Sequence, residues 1–443
     1  MKKNIKYIIA LILFTQVCKA QETIYPTPEQ KGTFYITHAT IHVGNGQIIN
    51  DGTIKITNGK IESVGNNISS TPDAARVIDA RGKQVYPGLI SSITNLGLKE
   101  VGSGVRGSND YNEIGDINPS IRAIVAYNTD SKVINTLRSN GILLANVVPQ
   151  EEEAVSSNLI TGTSSVVQLD AWNWEDAAYK MDGQLHLNIP SLLNRPNFFA
   201  LFFGITTPQV DPVKSALEKM DRVKSFFRQA KAYTFEPTHK ETNLKFAAVK
   251  DLFTKKQKLF VHCNAVKEML LAIDFVTEFG FDVVIVGGSE SWQIADLLKQ
   301  NNLPVILRQL HSLPENIDDD VDQPFKTPYI LQRAGVLFAL SDNDAQTRGR
   351  NLMFNAGTAV ANGLTKEEAL SAITLNAAKV LGISNITGSI EAGKDANIVV
   401  SEGDILDMKS SVITNAFIQG REINLTNKHT QLYEKYKYKY GLK

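Results

Sequence analysis

What this sequence has little of narrows its reading before any motif is found. It has no charge excess: 46 lysines and arginines balance 46 aspartates and glutamates over 443 residues. No global field therefore draws the chain to nucleic acid or to an anionic membrane. It has two cysteines, Cys18 and Cys263, too few for a disulfide framework. Past residue 20 it has no apolar run near the roughly 20 residues that a transmembrane helix needs. Glycine-rich phosphate loops, a nucleophile elbow and Cys-x-x-Cys pairs are missing, which removes familiar signatures of nucleotide binding, serine hydrolysis and thiol redox chemistry. The acidic run ENIDDDVD (315–322) lacks the spacing and glycine of a calcium loop and reads as a solvated loop.

What is present begins with an export signal. Lys2, Lys3 and Lys6 form a positive start, Ile8 to Phe14 a short apolar stretch, and Cys18-Lys19-Ala20 a cleavage site before Gln21. Bulky Val17 argues against a lipidated Cys18. Cleavage at this point removes four lysines and no acid, so the mature chain is mildly acidic and keeps only Cys263. In a cell with two membranes the destination is the periplasm.

Beyond the signal the texture changes twice. Residues 34 to 86 alternate apolar and polar side chains between turns such as Asn58-Gly59, the pattern of short strands. The same texture returns from about 388 to 424. Between them, apolar runs alternate with helical patterns. ILLANVV (142–148), SSVVQL (164–169), KLFVHC (258–263), DVVIVGG (282–288), LPVIL (303–307) and VLFALSD (336–342) are strand candidates. Such alternation predicts a parallel sheet with helices outside. The segment 99–130, rich in Gly, Asn and Asp, reads as a long loop. The tail LYEKYKYKYGLK reads as a helix that packs Tyr433, Tyr436 and Tyr440 on the body.

The stretch YPGLISSITNLGL, residues 86 to 98, carries the most information. It resembles the first barrel strand of the amidohydrolase superfamily, in particular its imidazolonepropionase-like branch. There, Pro-Gly and two hydrophobic residues lead into a His-x-His pair that holds a catalytic metal. Pro87, Gly88, Leu89 and Ile90 match, and Thr94 fills the middle position, but Ile93 and Asn95 stand at the two ligand positions. The run from Gly363 to Val400, with Thr374, Asn376 and Ala378 and then Gly393-Lys394-Asp395-Ala396, resembles the family's closing segment. The resemblance covers nearly the whole mature chain. It implies an α/β fold: a distorted (β/α)8 TIM-like barrel over 87–387, a composite β-sandwich from 21–86 and 388–425, and a tail over 426–443.

The same resemblance implies where metal ligands would stand. His262, near the end of KLFVHC, matches the fifth-strand ligand, and Asp342 in LFALSDND matches the eighth-strand carboxylate, with Asp344 the alternative if the register shifts by two. The sixth-strand ligand position falls on Gly287. Cys263 alternates to the outer face of its strand. The fourth strand, and any bridging lysine on it, is not placed by the sequence. His186, His239 and His311 are the remaining histidines that could complete a metal shell, His311 being the best placed after the seventh strand. His38, His42 and His429 belong to the sandwich or tail. Trp172 and Trp174, and His311, are candidates for substrate contact, and packing explains the tryptophans equally well.

Two readings follow. In the first, the degenerate ligand positions Ile93, Asn95 and Gly287 leave a non-catalytic or attenuated member of the family. It needs no cofactor, serves as a binding or partner subunit for an unidentified small molecule, and is paired with an intact paralogue. In the second, a rebuilt zinc site uses His262 as ligand or acid and Asp342 as general base to hydrolyse cyclic amides or dipeptides. A catalytic zinc usually needs three protein ligands and an open position, so the first reading is preferred.

Overall fold

The computed structural model describes residues 25–68, 76–100, 109–149, 158–192, 211–236 and 238–442. The export signal lies outside these residues. Two eight-stranded sheets organise the chain. The first is built from both ends: β1 (Thr33–His42), β2 (Ile48–Thr57), β3 (Lys60–Gly65), β4 (Arg76–Asp79) and β5 (Gln84–Pro87), joined by β14 (Ile398–Ser401), β15 (Ile413–Ile418) and β16 (Arg421–Glu422). The long β1 serves both halves of this sheet. Its start pairs with β4 and its end with β5, with an irregularity in its pairing to β2 around His38, whose φ is 58°. Phe34, Ile36, Ile54, Ile398 and Phe417 fill its core.

The second sheet is the barrel: β6 (Leu89–Thr94), β7 (Ile142–Val147), β8 (Ile160–Gln168), β9 (Ala178–Asn188), β10 (Lys258–Cys263), β11 (Val283–Gly287), β12 (Val305–Leu307) and β13 (Phe338–Leu340), hydrogen-bonded in that order. No ladder joins β13 to β6. The seam is closed by one side chain, since the Ser341 hydroxyl accepts from Ile93 N at 3.0 Å and donates to Ile93 O at 3.1 Å. Each run read as a strand overlaps one of these elements, and KLFVHC coincides with β10. The expectation of an all-parallel barrel is corrected at one strand, because β8 runs antiparallel to both β7 and β9. Its link to β9 spans only residues 169–177, with a one-turn helix at Trp174–Ala177. A parallel return needs a crossover of about a dozen residues or more.

Outside the barrel pack α1 (Lys132–Arg138), α2 (Pro212–Phe235) and α3 (Val266–Phe279), with α4 (Leu375–Leu381) against the inner core. Alternation decides which side chains go where. Leu259, Val261 and Cys263 of β10 join the outer core, as expected for Cys263, while Phe260 joins the inner one. The end of α4 is capped by lysines from two strands. Lys180 Nζ reaches the Leu381 carbonyl at 3.2 Å, and Lys258 Nζ reaches that of Val380 at 2.8 Å. The tail forms α5 (Lys428–Lys439), but the expectation that its tyrosines pack on the body is overturned. Tyr433, Tyr436 and Tyr440 are 65%, 50% and 64% exposed, and no residue of the helix is buried. The spacing made a helix without providing a neighbour for its aromatic face. No described helix is long and apolar enough to cross a membrane.

Candidate functional site

The site is assembled from the inward-facing ends of β8 to β13. β9 supplies the fourth barrel strand, and its polar residues Gln184 and His186 face inward while Leu185 and Leu187 face the outer core. His262 occupies the same inner face of β10, and Arg308 directly follows β12 in the inner phase of Ile306. The turn after β10 is held rigidly, because Glu268 of α3 accepts hydrogen bonds from the backbone N of Asn264 (3.0 Å) and Ala265 (3.1 Å).

These residues form one continuous hydrogen-bond chain. Arg308 lies 3.3 Å from His262 Nδ1, His262 Nε2 lies 2.8 Å from His186 Nδ1, and His186 Nε2 lies 2.7 Å from Ser164 Oγ. Ser164 continues to Gln184 Oε1 at 2.9 Å, and Gln184 Nε2 to the Leu381 carbonyl at 3.1 Å. The two ends set the direction. A guanidinium can only donate and a carbonyl can only accept. His262 Nδ1 therefore accepts and its Nε2 carries the proton. His186 repeats that tautomer, the serine hydroxyl points to Gln184, and the glutamine amide points to Leu381. Both imidazoles are neutral. Burial pushes His186 down to about 3. Burial, then the repulsion that a protonated His262 would meet from a second protonated ring at His186 and from the Arg308 guanidinium, holds His262 well below the usual imidazole range.

Asp342 is 2% exposed at the end of the eighth strand. Its Oδ1 accepts from Asp344 N at 3.0 Å, and its Oδ2 sits 3.6 Å from Arg348 Nε with no described hydrogen-bond donor. Burial raises its affinity for a proton. Asp344 pairs with the same arginine and fixes its own turn through Thr347. Between Arg308 and Arg348 lies a cavity of about 250 Å³, lined also by Asn264, Gly287, Ser289 and Asn343.

The structure therefore brings some of the sequence candidates together and separates others. His186 and His262 meet. Ile93 is 1% exposed and packed among Ile90, Val284 and Ile306, and Asn95 is buried just beyond it. Gly287 is closed to any side chain: its φ is 105°, and a Cβ there would stand 2.8 Å from the Cys263 carbonyl and closer still to Asn264 Oδ1. His311 turns away to Thr358 Oγ1 at 2.9 Å. Trp172, 63% exposed, lines a separate cavity of about 630 Å³ with Lys60 and Arg421, near the first sheet. Trp174 is half-buried against the main core. His239 pairs with Glu236 on the surface. Arg308 and Arg348 were missed. Their only sequence signal is position, directly after the seventh strand and just beyond the eighth.

The residues present do not fit a zinc ion of the kind that the resemblance implies. His262 has no lone pair to spare, because Nε2 carries a proton and Nδ1 faces a fixed cation. Asp342 faces a second cation. Among the described residues, no three His, Cys, Asp or Glu side chains converge as a metal site.

Comparison with known proteins agrees with the architecture. The profile of the Amidohydrolase family matches residues 326–423. The amidohydrolase tasK of Hapsidospora irregularis is 20% identical over 394 residues, which is 82% of this chain but only 39% of that protein's length. An imidazolonepropionase of Thermoplasma volcanium is 22% identical over 383 residues, 82% of this chain and 88% of that protein. The crystal structure of an amidohydrolase from Thermotoga maritima MSB8 superposes with a TM-score of 0.75 at 27% identity, covering 88% of this chain and 99% of that one.

Proposed function

Because the chain is an imidazolonepropionase-like member of the amidohydrolase superfamily, we propose that it keeps the family barrel as a binding scaffold and does not run metal-assisted C–N hydrolysis. One observation carries this reading: the Arg308 guanidinium stands 3.3 Å from the only unprotonated nitrogen of His262. A divalent ion seeking that lone pair would have to displace the guanidinium that donates to it and would then face its charge at close range. For charges of +2 and +1 about 5 Å apart at an effective dielectric of about 20, the repulsion is on the order of 7 kcal/mol, comparable with much of what a structural zinc site gains. Gly287 and Ile93 add no donor atom. The ligand belongs in the cavity between Arg308 and Arg348, where a small polar molecule would also meet Asn264, Ser289 and Asn343. The export signal read in the sequence supports an activity outside the cytoplasm, and a paralogue with intact ligands is the proposed partner.

Elemental analysis of the full chain, purified without chelator and re-equilibrated with zinc, tests the reading. The expected result is no stoichiometric zinc and no turnover of cyclic amides or dipeptides. About one zinc per chain, with a hydrolysis that disappears in His262→Ala and Asp342→Asn, would overturn it and establish a rebuilt hydrolytic site.

A further inference from the structure

The neutral balance of the whole chain hides one strongly biased element. α5 carries Lys428, Lys435, Lys437 and Lys439 against a single acid, Glu434. Viewed down its axis at 3.6 residues per turn, Tyr433, Tyr436 and Tyr440 share one narrow face, Lys437 borders it on one side, and Lys428 and Lys439 border it on the other. The side chains bear this out. The rings of Tyr436 and Tyr440 stack at 6.4 Å, Lys437 lies 6.0 Å from the Tyr433 ring, and Lys439 lies 5.8 Å and 5.2 Å from the rings of Tyr436 and Tyr440. The helix is secured at its first turn. Buried Asn427 accepts from the backbone N of His429 and Thr430 and donates to Ser139 Oγ at 2.6 Å, and Arg350 reaches His429 at 3.1 Å. Beyond that turn every described side chain is at least partly open to solvent.

We infer that α5 is an interfacial helix that holds the protein on an anionic phospholipid surface. Tyrosine suits that depth, since its ring enters the acyl boundary while its hydroxyl stays at the headgroups. Flanking lysines extend their ammonium groups outward along their aliphatic stems to meet lipid phosphates. The face has one aliphatic side chain, Leu432, 37% exposed. A helix seated in a protein groove would present a row of such anchors. Twelve residues give about 18 Å of helix, long enough to lie in the interface and too short to span it.

Co-sedimentation of the full chain with phosphatidylcholine vesicles, with and without roughly one third phosphatidylglycerol, is the test. Binding is expected only to the anionic vesicles and is expected to weaken as salt shortens the Debye length. Tyr433→Ser/Tyr436→Ser/Tyr440→Ser and Lys435→Gln/Lys437→Gln/Lys439→Gln should each lower the apparent partition coefficient by about tenfold or more. Their melting temperatures should match the parent's, because none of these residues is buried. Equal sedimentation with neutral vesicles, or anionic binding indifferent to either triple substitution, would overturn the inference. So would a lack of vesicle binding together with tyrosine-dependent self-association or capture of an acidic protein, which would make α5 a protein-docking element.

Discussion

In the sandwich, Phe34, Ile36, Ile54, Ile398 and Phe417 pack carbon against carbon. In the barrel, Phe260 and Val284 share the interior with Ser164, Gln184 and His186, and the chain continues to half-buried His262. Both regions are cores, yet they specify different things. Apolar packing is non-directional, and what it fixes is volume. The polar chain fixes proton positions, because each member has one acceptable role between the Arg308 donor and the Leu381 acceptor. A buried polar group without its partner is costly, so the interior tolerates the chain only when it is complete. The first sheet thus fixes its own packed volume, and the interior chain sets the proton positions near the barrel's mouth.

That contrast can be broken most severely in the sandwich. Phe417→Ala should cost about 3–5 kcal/mol in denaturant unfolding while leaving histidine tautomers, read by nitrogen NMR, unchanged. Ser164→Ala removes only one oxygen and should cost about 1–3 kcal/mol. It should also disturb the tautomers of His186 and His262, which a purely volumetric role would leave alone. pH sharpens the same distinction. His186 is held at about 3 when folded and titrates near its ordinary value when unfolded. The unfolded chain therefore binds a proton that the native chain refuses. The histidine's contribution is fully present above the unfolded value and is lost as pH falls toward the folded one. One pH unit below the unfolded value the loss is about 1.4 kcal/mol, and His186→Gln should flatten that slope. The smallest expected effect is on α5, where the triple tyrosine substitution should change stability by no more than about 0.5 kcal/mol.

The sequence made some strands plain and hid others for a physical reason. β7, β10 and β11 are short apolar runs, because both of their faces meet protein. β9 was not placed, because its inward residues Gln184 and His186 interrupt the apolar pattern, although Leu185 and Leu187 alternate with them. The reversal of β8 follows from its short connection to β9, whose length is set by where the two strands end in the folded chain. At the site, His262 and Asp342 were found through the resemblance. The pairing of His262 with His186 links strands whose register the sequence does not state, and Arg308 carries no local mark beyond the strand that it follows. The tyrosine spacing of α5 was legible. Its exposure depends on what lies opposite, which only the folded chain determines.

The left-handed backbone at Gly287 also limits what can be built at the barrel's mouth. For any larger side chain to stand there, the backbone would have to leave a φ of 105°, and Asn264 and the Cys263 carbonyl would have to give way. A substitution at this one position therefore meets strain and a clash together. The turn between β11 and the following helix is a commitment of the main chain: re-equipping this rim means rebuilding the loop first and exchanging the side chain second.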